Sequence, residues 1–393
     1  MIALRDKSKC TGCTACAAVC PLSCITMRSD GEGFLYPEID RDRCVACGKC
    51  ETVCPVDHPL QTVKAEPEAY GVKAKDWGLR LSSSSGGVFS LLAEEVLGRG
   101  GAVFGTAMAA DCKSARHVMA EAPEALAALR GSKYLQSDLE DTFRRVKEEL
   151  DRRPVLFSGT PCQVDGLRAY LGREYENLLT VEVICHGVPT PKLWKKYVEH
   201  QADKSGGEIV KAEFRHKKCG WHIFGSRLEN SNRKVLYSTL REDPFIQVFL
   251  RDLCLRPSCY QCPSKGLDRS ADLTIGDFWG IEAVAPELDD DKGTSLVLAH
   301  TEKGQKALEA ILPRTDWKQV DCMAALRSNQ AMLRSVERPE GRDAFMADMD
   351  RLPFADLAKK YVPRSGRDRL IDVVQKLGLM PLARKAWWSI RKR

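Results

Sequence analysis

The sequence predicts an α+β protein with three parts: a cysteine-rich N-terminal module, a mixed α/β main domain and a basic helical tail. Eight cysteines fall within the first 54 residues, which marks the N-terminal module. Short apolar runs alternate with helical patterns over residues 80–345, and this alternation is typical of a mixed α/β core. A chain of 393 residues is long enough for two or three domains, each with its own core.

The eight N-terminal cysteines form two copies of one pattern, C-x2-C-x2-C-x3-C followed by proline. The first copy consists of Cys10, Cys13, Cys16, Cys20 and Pro21, and the second of Cys44, Cys47, Cys50, Cys54 and Pro55. In bacterial-type two-cluster ferredoxins, the fourth cysteine of each copy ligates the other cluster. We therefore predict a [4Fe-4S] cluster I on Cys10, Cys13, Cys16 and Cys54, and a [4Fe-4S] cluster II on Cys44, Cys47, Cys50 and Cys20. Paired C-x2-C motifs also hold zinc, but a zinc site needs no displaced fourth cysteine.

Composition and charge limit the compartment and the partners. Seventeen cysteines, eight of them in cluster motifs, indicate a reducing compartment, and the N-terminal residues show no apolar signal segment. No apolar run reaches the ~18 residues that span a bilayer, so we expect a cytoplasmic protein. The net charge is +6, but residues 359–393 alone hold 11 Lys/Arg and two Asp. The positive charge is therefore confined to the tail, which argues against a nucleic-acid-binding surface.

The sequence divides into a two-cluster ferredoxin domain (1–60), a connector (61–79), the main domain (80–345) and the tail (346–393). Helical spacing in the main domain occurs at residues 88–96, 123–129, 139–150 and 193–201. Five short apolar runs bounded by turn residues predict buried strands, at residues 102–107, 155–157, 178–185, 273–275 and 295–299.

A serine–glycine run, Ser82 to Gly87, stands directly before the helix predicted at residues 88–96. The N–H groups at a helix N-terminus bind anions, and glycines let a phosphate approach the backbone. We therefore expect a phosphate-binding loop made of Ser83, Ser84, Ser85, Gly86 and Gly87, and a flexible linker is the alternative. The run has neither the G-x-G-x-x-G pattern nor the Walker lysine, so it identifies no particular nucleotide.

A second group of cysteines is spread through the main domain. Cys162 and Cys185 each follow a predicted strand, and Cys259 and Cys262 form a C-x2-C pair. These four could close a third cluster, and structural zinc, buried thiols or a redox pair are the alternatives. Cys254 is a substitute ligand in the cluster hypothesis. The remaining cysteines fit ordinary small buried residues: Cys24, Cys112, Cys219 and Cys322.

Two further stretches combine charged and aromatic residues. Residues 214–221 (FRHKKCGW) place cations beside aromatic rings, and residues 272–280 (DLTIGDFWG) place Asp277 at the end of a predicted strand. Ligand sites in α/β sheets lie at strand ends, which favours a functional role for the second stretch. The alternatives are a solvated charge run for the first, and an N-cap aspartate beside core aromatic residues for the second.

At these residues the sequence resembles the coenzyme F-420 hydrogenase/dehydrogenase beta subunit family, in the form that carries an N-terminal two-cluster ferredoxin domain. The matching stretches occur in the expected order between residue 1 and about residue 340. They are residues 83–89, 131–136, 158–163, 184–191, 214–221 and 255–281. The last of these is the most specific because it is the longest.

The resemblance implies that the main domain binds FAD and has N- and C-terminal parts divided near residues 175–185. It implies a third [4Fe-4S] cluster on Cys162, Cys185, Cys259 and Cys262, and a flavin phosphate site in the serine–glycine run. The further flavin or substrate contacts that it suggests are Lys133, Tyr134, Gly159, Thr160 and Asp277. Family members reduce a deazaflavin coenzyme (F-420), chlorophyll-type pigments or other partners, and bacterial relatives occur among polysaccharide-biosynthesis proteins.

We expect an iron–sulfur flavoprotein oxidoreductase. A ferredoxin or a redox partner subunit would deliver single electrons to clusters I and II, and the third cluster would pass them to FAD and a small-molecule two-electron acceptor. Lys133, His186 and Lys217 are the candidates to stabilise negative charge on the reduced flavin or to donate a proton, and each also fits an ordinary surface residue. The alternative is an electron-transfer subunit that docks on a separate catalytic partner. The sequence has no lone C-x3-C-x2-C motif, so a radical enzyme is not indicated.

The end of the tail has the pattern of an amphipathic helix. Its apolar face consists of Leu379, Leu382, Ala383, Ala386, Trp387 and Ile390. Its basic residues lie largely opposite, at Arg384, Lys385, Arg391 and Lys392. Basic amphipathic helices with tryptophan bind anionic membrane surfaces, so we expect peripheral contact with the inner face of the membrane. Docking on the protein's own body or on a partner is the alternative.

Overall fold

The computed structural model describes residues 6–62, 66–364 and 366. The strands of this part are β1 (Ile25–Ser29), β2 (Leu35–Ile39), β3 (Glu68–Ala74), β4 (Ala102–Met108), β5 (Ala115–Ala120), β6 (Ser137–Asp138), β7 (Val155–Gly159), β8 (Leu178–Val183), β9 (Ile209–His216), β10 (Gly225–Asn230), β11 (Val235–Thr239), β12 (Leu273–Asp277), β13 (Ser295–Ala299) and β14 (Thr315–Val320). The helices are α1 (Ala15–Val19), α2 (Lys49–Thr52), α3 (Trp77–Leu81), α4 (Val88–Gly98), α5 (Leu126–Leu129), α6 (Thr142–Leu150), α7 (Pro161–Leu171), α8 (Pro191–Ser205), α9 (Pro244–Leu250), α10 (Ile281–Val284), α11 (Glu302–Ile311), α12 (Cys322–Leu326), α13 (Arg342–Arg351) and α14 (Phe354–Tyr361).

The main domain is organised around a sheet that has nine strands within the described residues. Their order is β14-β3-β13-β12-β8-β7-β4-β5-β6. The four central strands β12, β8, β7 and β4 run parallel to one another, whereas β13, β3 and β14 are added antiparallel on one side. The carboxyl ends of the four parallel strands therefore open on the same edge of the sheet, which is where ligands bind in such folds.

Residues 61–79 are expected to form a connector without regular structure, but they contain a strand of the large sheet. Residues Glu68–Ala74 form β3, which pairs with β13 on one side and β14 on the other. Two features hide this strand in the sequence: Gly71 is a weak strand former, and Lys73 is a charged residue at a buried position. The ammonium of Lys73 lies 3.3 Å from the carboxylate of Asp290, and this ion pair accounts for a charge inside the sheet. The main domain therefore begins at β3, before residue 80.

The other predicted strands are confirmed, and the sheet continues through the expected division near residues 175–185. Strand β8 lies in this region and pairs in parallel with both β7 and β12. The helix expected at residues 123–129 is a 3-10 turn followed by the short helix α5. The helices expected at residues 88–96, 139–150 and 193–201 correspond to α4, α6 and α8.

The N-terminal module packs on one face of the large sheet. Its antiparallel hairpin of β1 and β2 and its short helices α1 and α2 frame the two cysteine-rich loops. Cys13, Ala15 and Cys16 share one hydrophobic cluster with side chains of α6 and α7, including Phe143 and Val164. Helices α4, α5 and α11 cover the opposite face through a separate cluster. The predicted ferredoxin domain is thus fixed to the main domain by a continuous core.

A smaller sheet of β9, β10 and β11 lies beyond the large one, and α8, α9, α13 and α14 pack with it. Phe345, Phe354 and Leu357 of the last two helices are buried in this cluster. The described start of the predicted tail therefore belongs to the folded body. The amphipathic segment expected at residues 379–393 lies outside the described residues. In the part of the chain that the structure describes, no helix has the length and apolar character needed to cross a bilayer.

Candidate functional site

A cavity of about 640 Å³ opens at the carboxyl ends of the four parallel strands. Each strand contributes residues to its wall: Thr106 from β4, Ser158 and Gly159 from β7, Val183 from β8, and Ile275 and Asp277 from β12. The wall also includes Thr11 and Gly12 of the N-terminal module. The cavity therefore lies between the sheet edge and the predicted cluster I loop, at the place where open α/β sheets bind ligands.

The two cysteine-rich loops repeat the same backbone geometry. The second residue after the first cysteine of each copy has positive φ, at 73° for Gly12 and 52° for Ala46. The fourth residue does so as well, at 65° for Thr14 and 77° for Gly48. Residues that alternate between left- and right-handed conformations turn successive N–H groups toward one side, where they form a concave anion site. The loops thus fit an anionic [4Fe-4S] cluster better than an apolar core.

The structure brings together the cysteines predicted for cluster I, including the displaced fourth. Cys13 and Cys16 lie close enough to Cys10 and Cys54 for their charges to interact. Burial raises the pKa of the Cys13 thiol to about 12, and the backbone N–H of Ala15, which donates to the sulfur, opposes this rise. Such thiols favour the thiolate only when a metal replaces the proton, because an uncompensated buried thiolate is costly.

The cysteines predicted for cluster II line a second, small cavity at the surface of the module. They are Cys20, Cys44, Cys47 and Cys50, and Cys24 lines the same cavity. Cys24 is buried, as expected, but its sulfur lies 3.3 Å from that of Cys20. It therefore contacts a predicted ligand of cluster II. Cys47 is exposed, and so are its neighbours Val45 and Ala46. The cluster II loop therefore reaches the molecular surface.

The structure also gathers Cys162, Cys185, Cys259 and Cys262 beside the cavity, and all four contribute to its wall. Their thiols interact electrostatically with one another. Cys162 occupies the first turn of α7 after β7, and Cys185 follows β8, so adjacent parallel strands position these two. The C-x2-C pair lies on and just after a 3-10 turn at Pro257–Gln261. The ligand role of this third cysteine set stays a prediction.

Hydrogen-bond donors surround the third cysteine set. The N–H of Val188 lies 3.4 Å from the sulfur of Cys259, and the N–H groups of Gly187 and Ser264 donate to Cys185 and Cys262. Burial raises the pKa of Cys185 to about 11, and the nearby ammonium of Lys265 opposes this rise. N–H donors and a cation are the surroundings that stabilise cluster-bound thiolates.

A single zinc ion is the alternative metal for the third cysteine set. Among the described residues, no three Cys, His, Asp or Glu side chains are grouped so that they could hold one metal ion. A mononuclear tetrahedral site brings its four ligands to one centre at about 2.3 Å per Zn–S bond.

The serine–glycine run forms another part of the cavity wall, directly before α4. Ser83, Ser84, Ser85 and Gly87 line the cavity, whereas the N–H of Gly86 donates to Ser295 Oγ. A Cβ on Gly86 would collide with the carbonyl oxygen of Val72, so this position is glycine for packing reasons. The run is therefore a shaped loop rather than a flexible linker.

The N-terminus of α4 faces the same cavity. Its cap residue Gly87 has φ of 92° and offers no side-chain cap, and the first helical backbone bond runs from Leu91 N to Gly87 O. The N–H groups of Val88, Phe89 and Ser90 therefore have no acceptor within the helix, and these residues line the cavity. This arrangement suits an anionic group such as a phosphate.

Lys133 and Lys217 use their ammonium groups to hold backbone. Lys133 Nζ donates to the carbonyls of Ala128, Leu129 and Arg130, which end α5, and burial lowers its pKa to about 7. Lys217 Nζ donates to the carbonyls of Arg80, Ser85 and Lys292 at 2.7–2.9 Å. All three protons of each ammonium are engaged in holding backbone. Lys133 lines the cavity, whereas Lys217 is not part of its wall and supports the serine–glycine loop through Ser85. Their predicted catalytic role remains a prediction.

His186 is the predicted catalytic residue with the freest access to the cavity. Its Nε2 lies 2.6 Å from Asp252 Oδ1, which fixes the orientation of the ring and leaves Nδ1 as the nitrogen that does not contact this carboxylate. His186 follows Cys185 directly and lines the cavity. A histidine oriented by a carboxylate is suited to proton transfer.

Sequence reasoning missed Arg215, which lies in the charged stretch noted at residues 214–221. Its guanidinium is buried, stacks on Phe224 at 3.7 Å from the ring centre, and lines the cavity. Nη2 lies 2.8 Å from Asp277 Oδ1 but outside hydrogen-bond geometry, and Nη1 contacts the hydroxyl of Tyr134. Tyr134 and Asp277, both predicted contacts, are therefore linked through this arginine. An aromatic residue at each end of the charged stretch was the available signal.

Comparison with protein families identifies two regions. Residues 9–58 match the 4Fe-4S dicluster domain, and residues 152–320 match the C-terminal region of the coenzyme F420 hydrogenase/dehydrogenase beta subunit. Residues 152–320 are therefore similar to the C-terminal region of this beta subunit. The resemblance predicted from the sequence is confirmed, and the chain is an iron–sulfur protein related to these hydrogenase and dehydrogenase subunits.

The chain is also similar to chains of solved structures. A chain of the F420-reducing [NiFe] hydrogenase complex from Methanosarcina barkeri is 17% identical, with a TM-score of 0.46. The match covers 75% of the present chain and 90% of the Methanosarcina chain. No curated protein matches the chain.

The third cysteine set generates a prediction about iron content. Anaerobically purified protein should contain about twelve irons per chain, and Cys259→Ser should contain about eight, because a cubane needs all four ligands. The matched control is Cys112→Ser, a buried cysteine outside all three sets, which should retain about twelve. Iron and acid-labile sulfide assays give the count. About eight irons in the unaltered protein and in both variants would exclude a third cluster.

Proposed function

We propose that this protein is an iron–sulfur flavoprotein oxidoreductase that carries electrons from its surface to a flavin in the cavity and on to a two-electron acceptor. The observation that carries the proposal is the position of the cavity, whose wall includes the cluster I loop, all four cysteines of the third set and the N-terminus of α4. A cofactor bound there would lie next to the predicted clusters that deliver electrons and next to the space where an acceptor could bind. When bound, the flavin would supply the conversion between one-electron and two-electron chemistry.

The order of the cysteine sets supports a path from cluster II to cluster I and then to the third set. Cysteines of the cluster II loop reach the surface, whereas Cys13 and Cys16 of cluster I are buried against α7. A Cβ on Gly166 of α7 would lie 2.7 Å from Cys13 Cβ, and Cys162 lies four residues earlier on the same helix. Four residues rise about 6 Å along a helix axis. One helix thus links the cluster I loop to the third set at close range.

The cavity has surfaces for each part of a flavin nucleotide. The N-terminus of α4 and Ser84 would bind phosphate oxygens, because the helix N–H groups and the serine hydroxyl are hydrogen-bond donors in the cavity wall. Phe224, Phe249 and Trp279 provide apolar and aromatic surface for planar rings. FAD is the flavin that the sequence resemblance implies, and a planar acceptor such as the deazaflavin F-420 would use the same aromatic surface. A polysaccharide-linked acceptor is the other substrate class under this proposal.

His186 would move the proton that accompanies electron transfer to the acceptor. The carboxylate of Asp252 orients its ring, and the cavity wall places it next to Cys185. Arg215 would stabilise negative charge that develops in the cavity, because its guanidinium is buried there among aromatic rings.

The surface beside cluster II is the proposed entry point for electrons from a ferredoxin or another redox partner. Val45 is 67% exposed and Leu22 is 40% exposed, and both border the cavity lined by the cluster II cysteines. Exposed apolar residues next to a redox centre favour a short-lived contact with a one-electron carrier. The same surface would serve if the protein were an electron-transfer subunit on a separate catalytic partner. The cavity favours the enzyme, because a relay subunit needs no ligand site.

A flavin assay tests the proposed cofactor. Anaerobically purified protein should hold about one FAD per chain. Lys217→Met removes the hydrogen bond that holds the Ser85 carbonyl of the proposed phosphate loop, and hydrogen bonds from a charged group contribute about 1.5–3 kcal/mol. This variant should therefore bind FAD roughly tenfold more weakly. The control is Lys211→Met on β9, the strand that ends just before Lys217, because the ammonium of Lys211 is exposed. Fluorescence titration of the apoprotein with FAD measures both. Absence of flavin with the iron content intact would favour the relay subunit, and equal affinities would remove the role of Lys217.

The proposed entry surface is tested by the rate of cluster reduction. Val45→Glu should slow reduction by a reduced ferredoxin about tenfold, because a charge in the apolar contact must be desolvated. Reduction by dithionite should be unchanged. The control is Val235→Glu, which adds the same charge at an exposed valine of β11 in the smaller sheet. It should leave the rate of reduction by ferredoxin unchanged. Stopped-flow absorbance gives the rates, and equal rates for both variants with ferredoxin would place the entry elsewhere.

A further inference from the structure

We propose that Arg256 couples cluster I to the third cluster. Its guanidinium holds Cys10, its backbone carbonyl holds Cys259, and its charge raises the reduction potentials of both clusters. The inference rests on the proposed function, since it requires both cysteine sets to hold [4Fe-4S] clusters. It adds a positioning residue, Arg256, which acts on the redox centres without being a ligand of either.

The side chain of Arg256 holds the first cysteine of cluster I. Nε donates to the carbonyl oxygen of Cys10 at 2.8 Å, and Nη2 donates to the sulfur of Cys10 at 3.6 Å. Nη2 also donates to the carbonyl of Leu35 at 3.0 Å, and Nη1 to Gln136 Oε1 at 3.3 Å. One guanidinium therefore fixes the position of the cysteine and supplies an N–H donor to its sulfur, which is a bond that tunes cluster potential.

The backbone of Arg256 holds the third set. The N–H of Cys259 donates to the carbonyl of Arg256 at 2.9 Å, which starts the 3-10 turn at Pro257–Gln261. The guanidinium also lies close enough to the Cys259 thiol for their charges to interact. The same residue thus contacts a predicted ligand of each cluster.

The charge of Arg256 lacks a carboxylate partner within the described residues. Its side chain is among the largest that are fully buried. Each of the other buried arginines has a carboxylate nearby: Arg80 has Asp290, Arg215 has Asp277, Arg269 has Glu182 and Arg342 has Glu32. A buried cation without a counter-charge is costly, and stacking on Tyr36 at 4.2 Å offsets only part of that cost. Two anionic clusters bound to the neighbouring cysteine sets would supply the missing counter-charge.

Close packing keeps the guanidinium in this position. A Cβ on Gly12, in the cluster I loop, would lie 2.9 Å from the guanidinium carbon of Arg256. Gly12 also has φ of 73°, so the loop needs glycine here for both its conformation and its contact. The module and the main domain therefore meet at the guanidinium.

The electrostatic consequence has a definite sign. Reduction adds a negative charge to a cluster, and a nearby buried cation stabilises the reduced form more than the oxidised form. Arg256 should therefore raise the potentials of cluster I and the third cluster. Cluster II should not respond, because Arg256 contacts none of its cysteines within the described residues.

The test is a redox titration of the full chain followed by electron paramagnetic resonance. In Arg256→Met the midpoint potentials of cluster I and the third cluster should both become more negative, with cluster II unchanged and about twelve irons retained. The matched control is Arg144→Met. Arg144 also ties the module to the main domain, through the carbonyls of Ala17, Ala18 and Cys20, but within the described residues it donates to no sulfur. Its loss should leave cluster I and the third cluster unchanged.

A conservative variant covers the case in which Arg256→Met does not assemble. Arg256→Lys keeps the charge but cannot maintain the forked bonds to Cys10, so the potential of cluster I should become more negative and that of the third cluster should change less. Unchanged potentials in the variant that assembles would overturn the inference while leaving the proposed function in place. A third cluster missing from the unaltered protein would instead overturn the proposed function.

Discussion

The contact between helix α7 and the cluster I loop is the constraint on which the arrangement of the redox elements depends. Gly166 leaves no room for a side chain between the helix and Cys13, so the loop can lie directly on the helix. Cys162 occupies the first turn of the same helix, and the parallel strands β7 and β8 position it beside Cys185. Because protein interiors tolerate little change in volume, a side chain at residue 166 would separate the two cysteine sets.

The four parallel strands at the centre of the large sheet determine where the cavity forms. Four strands end at one edge. The loops after β7, β8 and β12 contribute to the cavity or to the third cysteine set, and β4 contributes Gly105 and Thr106 of the strand itself. The serine–glycine loop closes another side and is held there by Lys217 and by Ser295. The groups proposed to act on a cofactor therefore lie on strands, on helices or in loops that these elements hold in place, and such support is needed for precise redox geometry.

Much of this organisation can be predicted from the sequence, because cysteine spacing reflects local geometry. The doubled motif predicts which eight cysteines belong together, and the structure places Cys54 with Cys10, Cys13 and Cys16 as the motif requires. Strands such as β13 are predictable because all of their residues are apolar or small and buried. The third cysteine set is harder, since its members come from distant segments that only the sheet brings together.

Other features depend on tertiary contacts that leave no local pattern. The sequence predicts a connector where β3 lies, because the buried Lys73 looks exposed until Asp290 is known to lie beside it. The sequence also predicts that Lys133 and Lys217 stabilise the reduced flavin or donate a proton. In the structure their ammonium groups donate to backbone carbonyls at loop and helix ends. Arg215 and Arg256 lie in stretches that the sequence marks as functional or matching, but a single arginine in a sequence does not reveal what surrounds its guanidinium.

The most direct measurement of the central claim is a count of electrons. An anaerobic reductive titration with dithionite, followed by absorbance, should consume about five electron equivalents per chain: one for each of three clusters and two for a flavin. This result would agree with a path from the surface to a flavin in the cavity. Uptake of only about two equivalents, with no flavin absorbance, would contradict the account and leave a two-cluster ferredoxin attached to an inactive domain.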